Sequence, residues 1–139
     1  VIRGLRTLDV RLERHEKNTK EVIKFLIKQK KIIEILYPYK KGTKNYKNWK
    51  KYYSGATGLL GLVIKSKNKN SVFRFINSLE LFGIGYSWGG FESLVVYQDI
   101  QREFKKYNNK DLHIVRLHIG LEDPKDLIID LKKSLRHIK

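Results

Sequence analysis

The sequence has no cysteine, no methionine, two prolines and a single alanine, Ala56. Without cysteine there is no disulfide framework and no cysteine-ligated metal site, and a cytoplasmic setting is expected. The missing methionine extends to position 1, which is Val1; processing, a non-standard start or a piece of something longer would each give that, and the last is the expectation. No apolar run approaches the roughly 18–20 residues that a membrane span needs. Acidic residues are scarce: 14 stand against 30 basic ones, a formal charge of +16. One reading of that excess is a polyanionic partner. The other is compositional drift, since 22 of the 30 are lysine and Ile, Asn and Tyr are plentiful. The sequence contains no phosphate-gripping P-loop, no nucleophile elbow, no HExxH and no Cys/His ligand cluster. It also lacks internal repeats, a Pro/Ser-rich linker and a low-complexity tail.

Hydrophobic residues make up 41%, enough for one modest core. Leu5, Leu8, Leu12, His15, Thr19, Val22 and Leu26 alternate steps of three and four, which predicts one long amphipathic helix. His15 and Thr19 sit on its apolar seam and read as a satisfied, partly buried pair. Ile32–Leu36, closed by Pro38, predicts a strand. Residues 37–57 read as loop. Leu59–Ile64 predicts a buried strand, with Gly58 and Gly61 permitting close backbone approach. A helix is expected from a Ser71 N-cap, with short strands at Ile84–Trp88 and Ser93–Tyr97 around Gly89-Gly90. A helix over 99–107, a turn at Asn108-Asn109 and a strand over Ile114–Ile119 follow. The last helix is capped by Asp123 with Pro124 in its first turn, and it buries Leu127, Ile128, Leu131, Leu135 and Ile138. Short links between strands imply a mostly antiparallel small sheet with helices on one face, an α+β two-layer sandwich.

Three stretches could carry chemistry. Tyr86-Ser87-Trp88-Gly89-Gly90-Phe91-Glu92-Ser93-Leu94 joins an aromatic cluster to a tight turn, which is either a plain turn or a site where backbone amides meet an anion. Arg116, between Val115 and Leu117, is either a snorkelling edge residue or a buried clamp. A guanidinium fork matches a carboxylate with two parallel hydrogen bonds, and an amino-acid carboxylate suits such a clamp. His118 lies on the same strand face. Third, Lys40, Lys41, Lys44, Lys47, Lys50 and Lys51 alternate with Tyr39, Tyr46, Trp49, Tyr52 and Tyr53. That is the chemistry of a single-strand nucleic-acid binder, or of a solvated loop with inward-packed aromatics.

Taken together, these stretches resemble the C-terminal region of the pyridoxal-phosphate (PLP)-dependent cysteine/methionine metabolism enzymes, and among them the cystathionine beta-lyases. The similarity runs through Gly4-Leu5-Arg6-Thr7-Leu8, Arg11-Leu12, His15-Glu16, Trp49-Lys50, Gly55 and Gly58-Leu59. Its most specific parts are the 86–94 stretch and Ile114-Val115-Arg116-Leu117-His118-Ile119-Gly120-Leu121-Glu122-Asp123. Asp126-Leu127-Ile128 and Asp130-Leu131 extend it into the last helix. Tyr86, Trp88 and His118 point to the beta-lyase wording, since related gamma-lyases and gamma-synthases typically read Glu-Ser-Leu-Gly-Gly at 86–90.

The resemblance implies that Arg116 binds the substrate's alpha-carboxylate, that Ser87 and Trp88 line that pocket and that Tyr86 borders the side-chain pocket. It implies residues 1–30 as an interdomain helix and 31–139 as a small C-terminal α+β domain. The complete enzyme would use PLP to convert L-cystathionine into homocysteine, pyruvate and ammonia by beta-elimination, working as a homo-oligomer. Family enzymes hold PLP on a lysine in a Ser-x-Thr-Lys-Tyr motif of the large domain. Thr43-Lys44 does not supply it, because Lys41 stands where Ser belongs and Asn45 where Tyr belongs. No catalytic, cofactor-binding or metal-binding residue is therefore expected in this chain, and the large domain must come in cis or as a separate chain. The chain is then a cropped enzyme, the product of a split or decaying gene, or a basic binding protein using 37–53; the resemblance weakens the nucleic-acid reading.

Overall fold

The computed structural model describes residues 2–39, 41–42, 44–99 and 109–139. The leading heptad pattern forms two helices, α1 (Ile2–Arg6) and α2 (Leu8–Leu26), parted at Thr7. Thr7 has φ −113° and ψ 8°, off the helical basin, yet its carbonyl accepts the Arg11 amide at 3.1 Å and the ladder resumes at once. His15, Asn18, Thr19, Val22 and Leu26 are buried, while Leu5, Leu8 and Leu12 of the same seam are exposed. The seam therefore predicts the helix but not how far its cover extends.

β1 (Ile32–Leu36) lies where its apolar run predicts. The expected loop after it contains a further helix, α3 (Lys44–Tyr52). Tyr46 and Trp49 are three residues apart, so one helical turn stacks their rings, with centroids 5.5 Å apart. β2 (Leu59–Lys65) is followed by α4 (Lys69–Asn77). Its N-cap is Asn68, whose side chain accepts the Asn70 amide at 3.0 Å, and not Ser71. Ser71 is buried inside the first turn, where its hydroxyl donates to the Asn68 carbonyl at 2.7 Å.

β3 (Gly83–Ile84), β4 (Leu94–Gln98) and β5 (Leu112–His118) complete a five-stranded sheet of order β1-β2-β5-β4-β3. The sheet is mixed, which corrects the mostly antiparallel expectation. β1–β2, β2–β5 and β4–β5 are antiparallel, but β3 runs parallel to β4. Gly89-Gly90 is not a hairpin tip. The strand expected at 84–88 stops at Ile84, and residues 85–93 loop out before the chain returns in the same direction. The helix expected over 99–107 lies outside the described residues, apart from Asp99, which is not helical. The turn expected at Asn108-Asn109 is described only from Asn109, whose side chain accepts the Asp111 amide at 2.9 Å.

α5 (Pro124–Ser134) begins as its sequence predicts, with Asp123 accepting the Lys125 amide at 2.8 Å. The core joins Leu60, Leu62 and Ile64 of β2, Val95 of β4 and Val115 and Leu117 of β5 to Val22 and Leu26 of α2, Phe75 of α4 and Leu127 and Leu131 of α5. Alternate residues share a strand face, so these helices cover one side of an α+β fold. Arg116 and His118 point the other way, in line with Ile114.

Candidate functional site

Arg116 lies on β5, which is flanked by β2 and β4, so it is not an edge residue. It is half-buried. Its Nη2 donates to the Tyr86 carbonyl at 2.6 Å, with the Gly85 and Ser87 carbonyls at 3.3 and 3.4 Å. The Tyr86 ring centroid is 5.9 Å from its guanidinium carbon. Among the described residues, Arg116 has no carboxylate partner, and Nε and Nη1 have no hydrogen-bond acceptor. One nitrogen anchors the group to the loop. The rest of a planar, permanently charged fork is left for an anion.

The loop over Arg116 keeps its aromatic rings outside. Tyr86, Trp88 and Phe91 are 74%, 67% and 66% exposed, and Ser87 is exposed beside them. The loop backbone, in contrast, is held at several points. Gly89 takes φ +78°, a left-handed conformation suited to glycine. Its amide lies 3.2 Å from His118 Nε2, and its carbonyl accepts from Arg11 Nη1 at 3.1 Å. Phe91's carbonyl accepts the Leu121 amide at 2.8 Å. Ser93 is fully buried; its amide and hydroxyl donate to the Glu122 carboxylate at 2.7 and 2.9 Å, and its hydroxyl accepts the Gly120 amide at 2.9 Å. A Cβ at Gly120 would overlap the Phe91 carbonyl oxygen and the Glu122 carboxylate, so only glycine lets these segments meet.

α2 is stapled to the same place. Asn18 donates to the Gly120 and Glu122 carbonyls at 3.0 and 2.8 Å. His15 Nδ1 donates to the Ile119 carbonyl at 2.7 Å, and Thr19 donates to the His15 carbonyl at 2.7 Å. Thr19 is satisfied as expected. His15 is fully buried rather than partly so, and its Nε2 has no partner. His118 is also buried, 5.1 Å from His15 between ring centroids, with Nδ1 unpartnered. Burial pushes the His118 pKa down; His15 and Arg116 add to that, while the Gly90 carbonyl and Glu122 oppose it. Sequence reasoning assigns Arg11, Asn18, Ser93 and Glu122 no role of their own: Arg11, Ser93 and Glu122 lie in the stretches that carry the resemblance, but the groups that all four hold are 29 to 104 residues away.

The Lys/Tyr segment is built differently. Tyr39 meets Trp49 edge-on at 4.6 Å, and Trp49 donates to the Gly55 carbonyl at 3.0 Å. Tyr37 is buried and donates to the Thr57 carbonyl at 3.0 Å; burial raises its phenol pKa well above the ordinary range, with Glu16 and Tyr39 adding. Tyr52 and Tyr53 are exposed. A groove of about 800 Å³ runs between α2 and the segment of Ile35, Tyr37 and Tyr39, lined also by Ile23 and Ile27, away from Arg116.

Among the described residues, no cluster of three or more His, Asp or Glu could hold a metal, and no helix is long and apolar enough to cross a membrane. Nor is any described lysine buried. Lys20, hydrogen-bonded to Glu16, has its pKa raised, the opposite of what a nucleophilic amine needs.

A family model described as Cys/Met metabolism PLP-dependent enzyme matches residues 1–136. The chain belongs to this family. Within it, the chain is 35% identical to cystathionine beta-lyase of Escherichia coli (strain K12), over 98% of this chain and 36% of that protein. It is 36% identical to L-alanine/L-glutamate racemase of Wolbachia pipientis wMel, over 98% of this chain and 34% of that protein. A solved structure from Campylobacter jejuni, described as an O-acetylhomoserine (thiol)-lyase and containing N'-pyridoxyl-lysine-5'-monophosphate, superposes with a TM-score of 0.81 at 32% identity. That match covers 96% of this chain and 30% of the other. The chain thus spans about a third of the length of these Cys/Met metabolism enzymes. The resemblance, most specific in the 86–94 and 114–123 stretches, holds over residues 1–136. No described lysine is buried, so none sits in the low-dielectric setting that a Schiff-base lysine for PLP uses.

Proposed function

We propose that this chain is the substrate-facing portion of a carbon–sulfur lyase that cleaves L-cystathionine to homocysteine, pyruvate and ammonia. The observation that carries the reading is Arg116. It is a half-buried guanidinium anchored by one nitrogen to the 85–87 carbonyls, with no acidic partner among the described residues. A substrate alpha-carboxylate laid against Nη1 and Nε would complete the fork, which fixes the orientation of the amino acid. Ser87 and Trp88 would line the carboxylate side, and Tyr86, whose ring already meets Arg116, would border the substrate's side chain. Tyr86 and Trp88 also favour a beta-lyase over a gamma-lyase or gamma-synthase pocket.

In this reading residues 1–30 form the interdomain helix and 31–139 the small domain. The exposed Ile2, Leu5, Leu8 and Leu12 fit a helix that continues onto another surface. PLP, its lysine and the chemical step belong to a large domain supplied in cis or by a separate chain, and the assembled enzyme is a homo-oligomer. The chain alone orients substrate and turns nothing over. A nucleic-acid surface at 37–53 is the weaker reading, because Tyr37, Tyr39, Tyr46 and Trp49 already pack on one another.

The test uses the assembled enzyme, obtained as the complete polypeptide or by mixing the chain with its large domain. Pyruvate release from L-cystathionine is compared for wild type and Arg116→Ala. A raised KM in the variant supports the reading; an unchanged KM removes the carboxylate role. Racemisation of alanine in place of pyruvate release would keep the clamp and reject the lyase.

A further inference from the structure

His15 and His118 are the most unusual polar groups among the described residues outside Arg116. Both are 2% exposed, they face each other at 5.1 Å, and each has one ring nitrogen without a partner. A buried polar atom without a hydrogen bond forfeits its hydration with nothing in return, so two side by side call for an explanation.

The proton positions follow from the partners. The Ile119 carbonyl only accepts, so His15 Nδ1 carries hydrogen and the neutral ring presents a lone pair at Nε2. His118 Nε2 sits 3.2 Å from both the Gly89 amide and the Gly90 carbonyl. It cannot serve both. With a lone pair it accepts from Gly89; with a proton it donates to Gly90. In the neutral form that accepts from Gly89, Nδ1 carries hydrogen and complements the free lone pair of His15. Adding a proton forces Nε2 to release Gly89 and turn to Gly90.

The Gly89-Gly90 turn is the end of the segment whose carbonyls anchor Arg116. Its other hold is Arg11, which fixes the Gly89 carbonyl from α2. The charged or titratable groups around His118 are His15 and Arg11 on α2, Arg116 on β5 and Glu122 just beyond β5. Of these four, Glu122 alone favours a proton on His118.

We infer that His118, backed by His15, is a positioning residue: its neutral ring tethers the Gly89 amide and so sets the Tyr86–Trp88 wall over Arg116, and a proton on His118 Nε2 exchanges that tether for one to the Gly90 carbonyl, which re-seats the wall. The consequence for binding rests on the proposed carboxylate role of Arg116; the tether itself does not.

The first measurement is an NMR pH titration of the isotope-labelled chain, following the His118 ring and the Gly89 amide. One shared midpoint is expected, lying below that of an ordinary histidine. A Gly89 amide that stays flat while His118 titrates, or a His118 midpoint at or above the ordinary value, overturns the tether. The second uses the assembled enzyme. KM for L-cystathionine should rise about fivefold as pH falls through that midpoint, because exchanging Gly89 for Gly90 shifts the wall off the position that seats substrate, an effect on the scale of one hydrogen bond. His15→Gln removes a group that lowers the His118 pKa, so the midpoint of both the Gly89 amide and KM should move upward together; a KM profile that does not follow the moved midpoint overturns the link to the wall. A shared midpoint with no KM change overturns the link to the wall. A shared midpoint in an assembly that binds no amino acid rejects the lyase reading and keeps the tether.

Discussion

The 85–93 loop and the 37–57 segment carry similar aromatic residues and are built in opposite ways. In the loop the backbone is tied down by Arg11, His118, Leu121 and Glu122 while Tyr86, Trp88 and Phe91 stay in solvent. In the other segment the rings do the tying: Tyr39, Tyr46 and Trp49 pack together while Lys47, Lys50 and Lys51 face outward. Exposed aromatic surface on a fixed backbone contributes little to folding, so its use lies in binding. Aromatic surface that packs on itself has already found its partner.

The two tryptophans test this most sharply. Trp49→Ala loses the Gly55 hydrogen bond and two ring contacts. It should lower unfolding stability by about 2–3 kcal/mol, below the full core range because Trp49 is half-buried. Trp88→Ala should stay within about 0.5 kcal/mol. Equal losses in denaturant melts would break the comparison.

Arg116→Ala should reverse the order when binding is read. Under the proposed lyase reading, KM for L-cystathionine in the assembled enzyme should rise about 10- to 100-fold, from the loss of charge-assisted hydrogen bonds worth about 1.5–3 kcal/mol. The melting curve of the chain barely moves.

Next come the two ends of the pH scale. The His118 pKa is depressed by folding, so its contribution to stability is present above about 6.5 and is lost as pH falls through its folded value. The Tyr37 pKa is raised, so its contribution is present below about 10 and is lost as pH rises toward its folded value. Thermal melts of His118→Phe and Tyr37→Phe should therefore flatten the acid limb and the alkaline limb respectively. A swap of limbs would contradict the assignment. The smallest effect is expected from Lys50→Gln with Lys51→Gln, within about 0.5 kcal/mol in stability and with no change in KM.

Much of this is legible in the residues. Asp123 and Pro124 mark α5, alternation marks β2 and β5, and the heptad steps mark α2, because each is a local pattern with a local cause. Arg116 stands out as a charge on an apolar strand. The misreadings share one origin. α3 follows from Tyr46 and Trp49 finding Tyr39, Asn68 displaces Ser71 because Ser71 is drawn inside, and β3 runs parallel to β4 because the intervening loop is tied to α2 and to the end of β5. The supports of the site, Arg11, Asn18, Ser93 and Glu122, act on groups far along the chain, and no local spacing reveals that.

The strand order has a consequence for how the molecule assembles. β5 sits in the centre of the sheet but is the last strand made, and it pairs with Leu59–Lys65 from about fifty residues earlier as well as with β4. On the ribosome, β1 with β2 and β3 with β4 can each form only as an isolated strand pair. Such pairs are marginal in water. They can join only when Leu112–His118 has emerged, so closure is long-range and slow compared with helix formation. The same step brings Arg116 under its loop, so no nascent chain holds the proposed anion clamp before the sheet has closed.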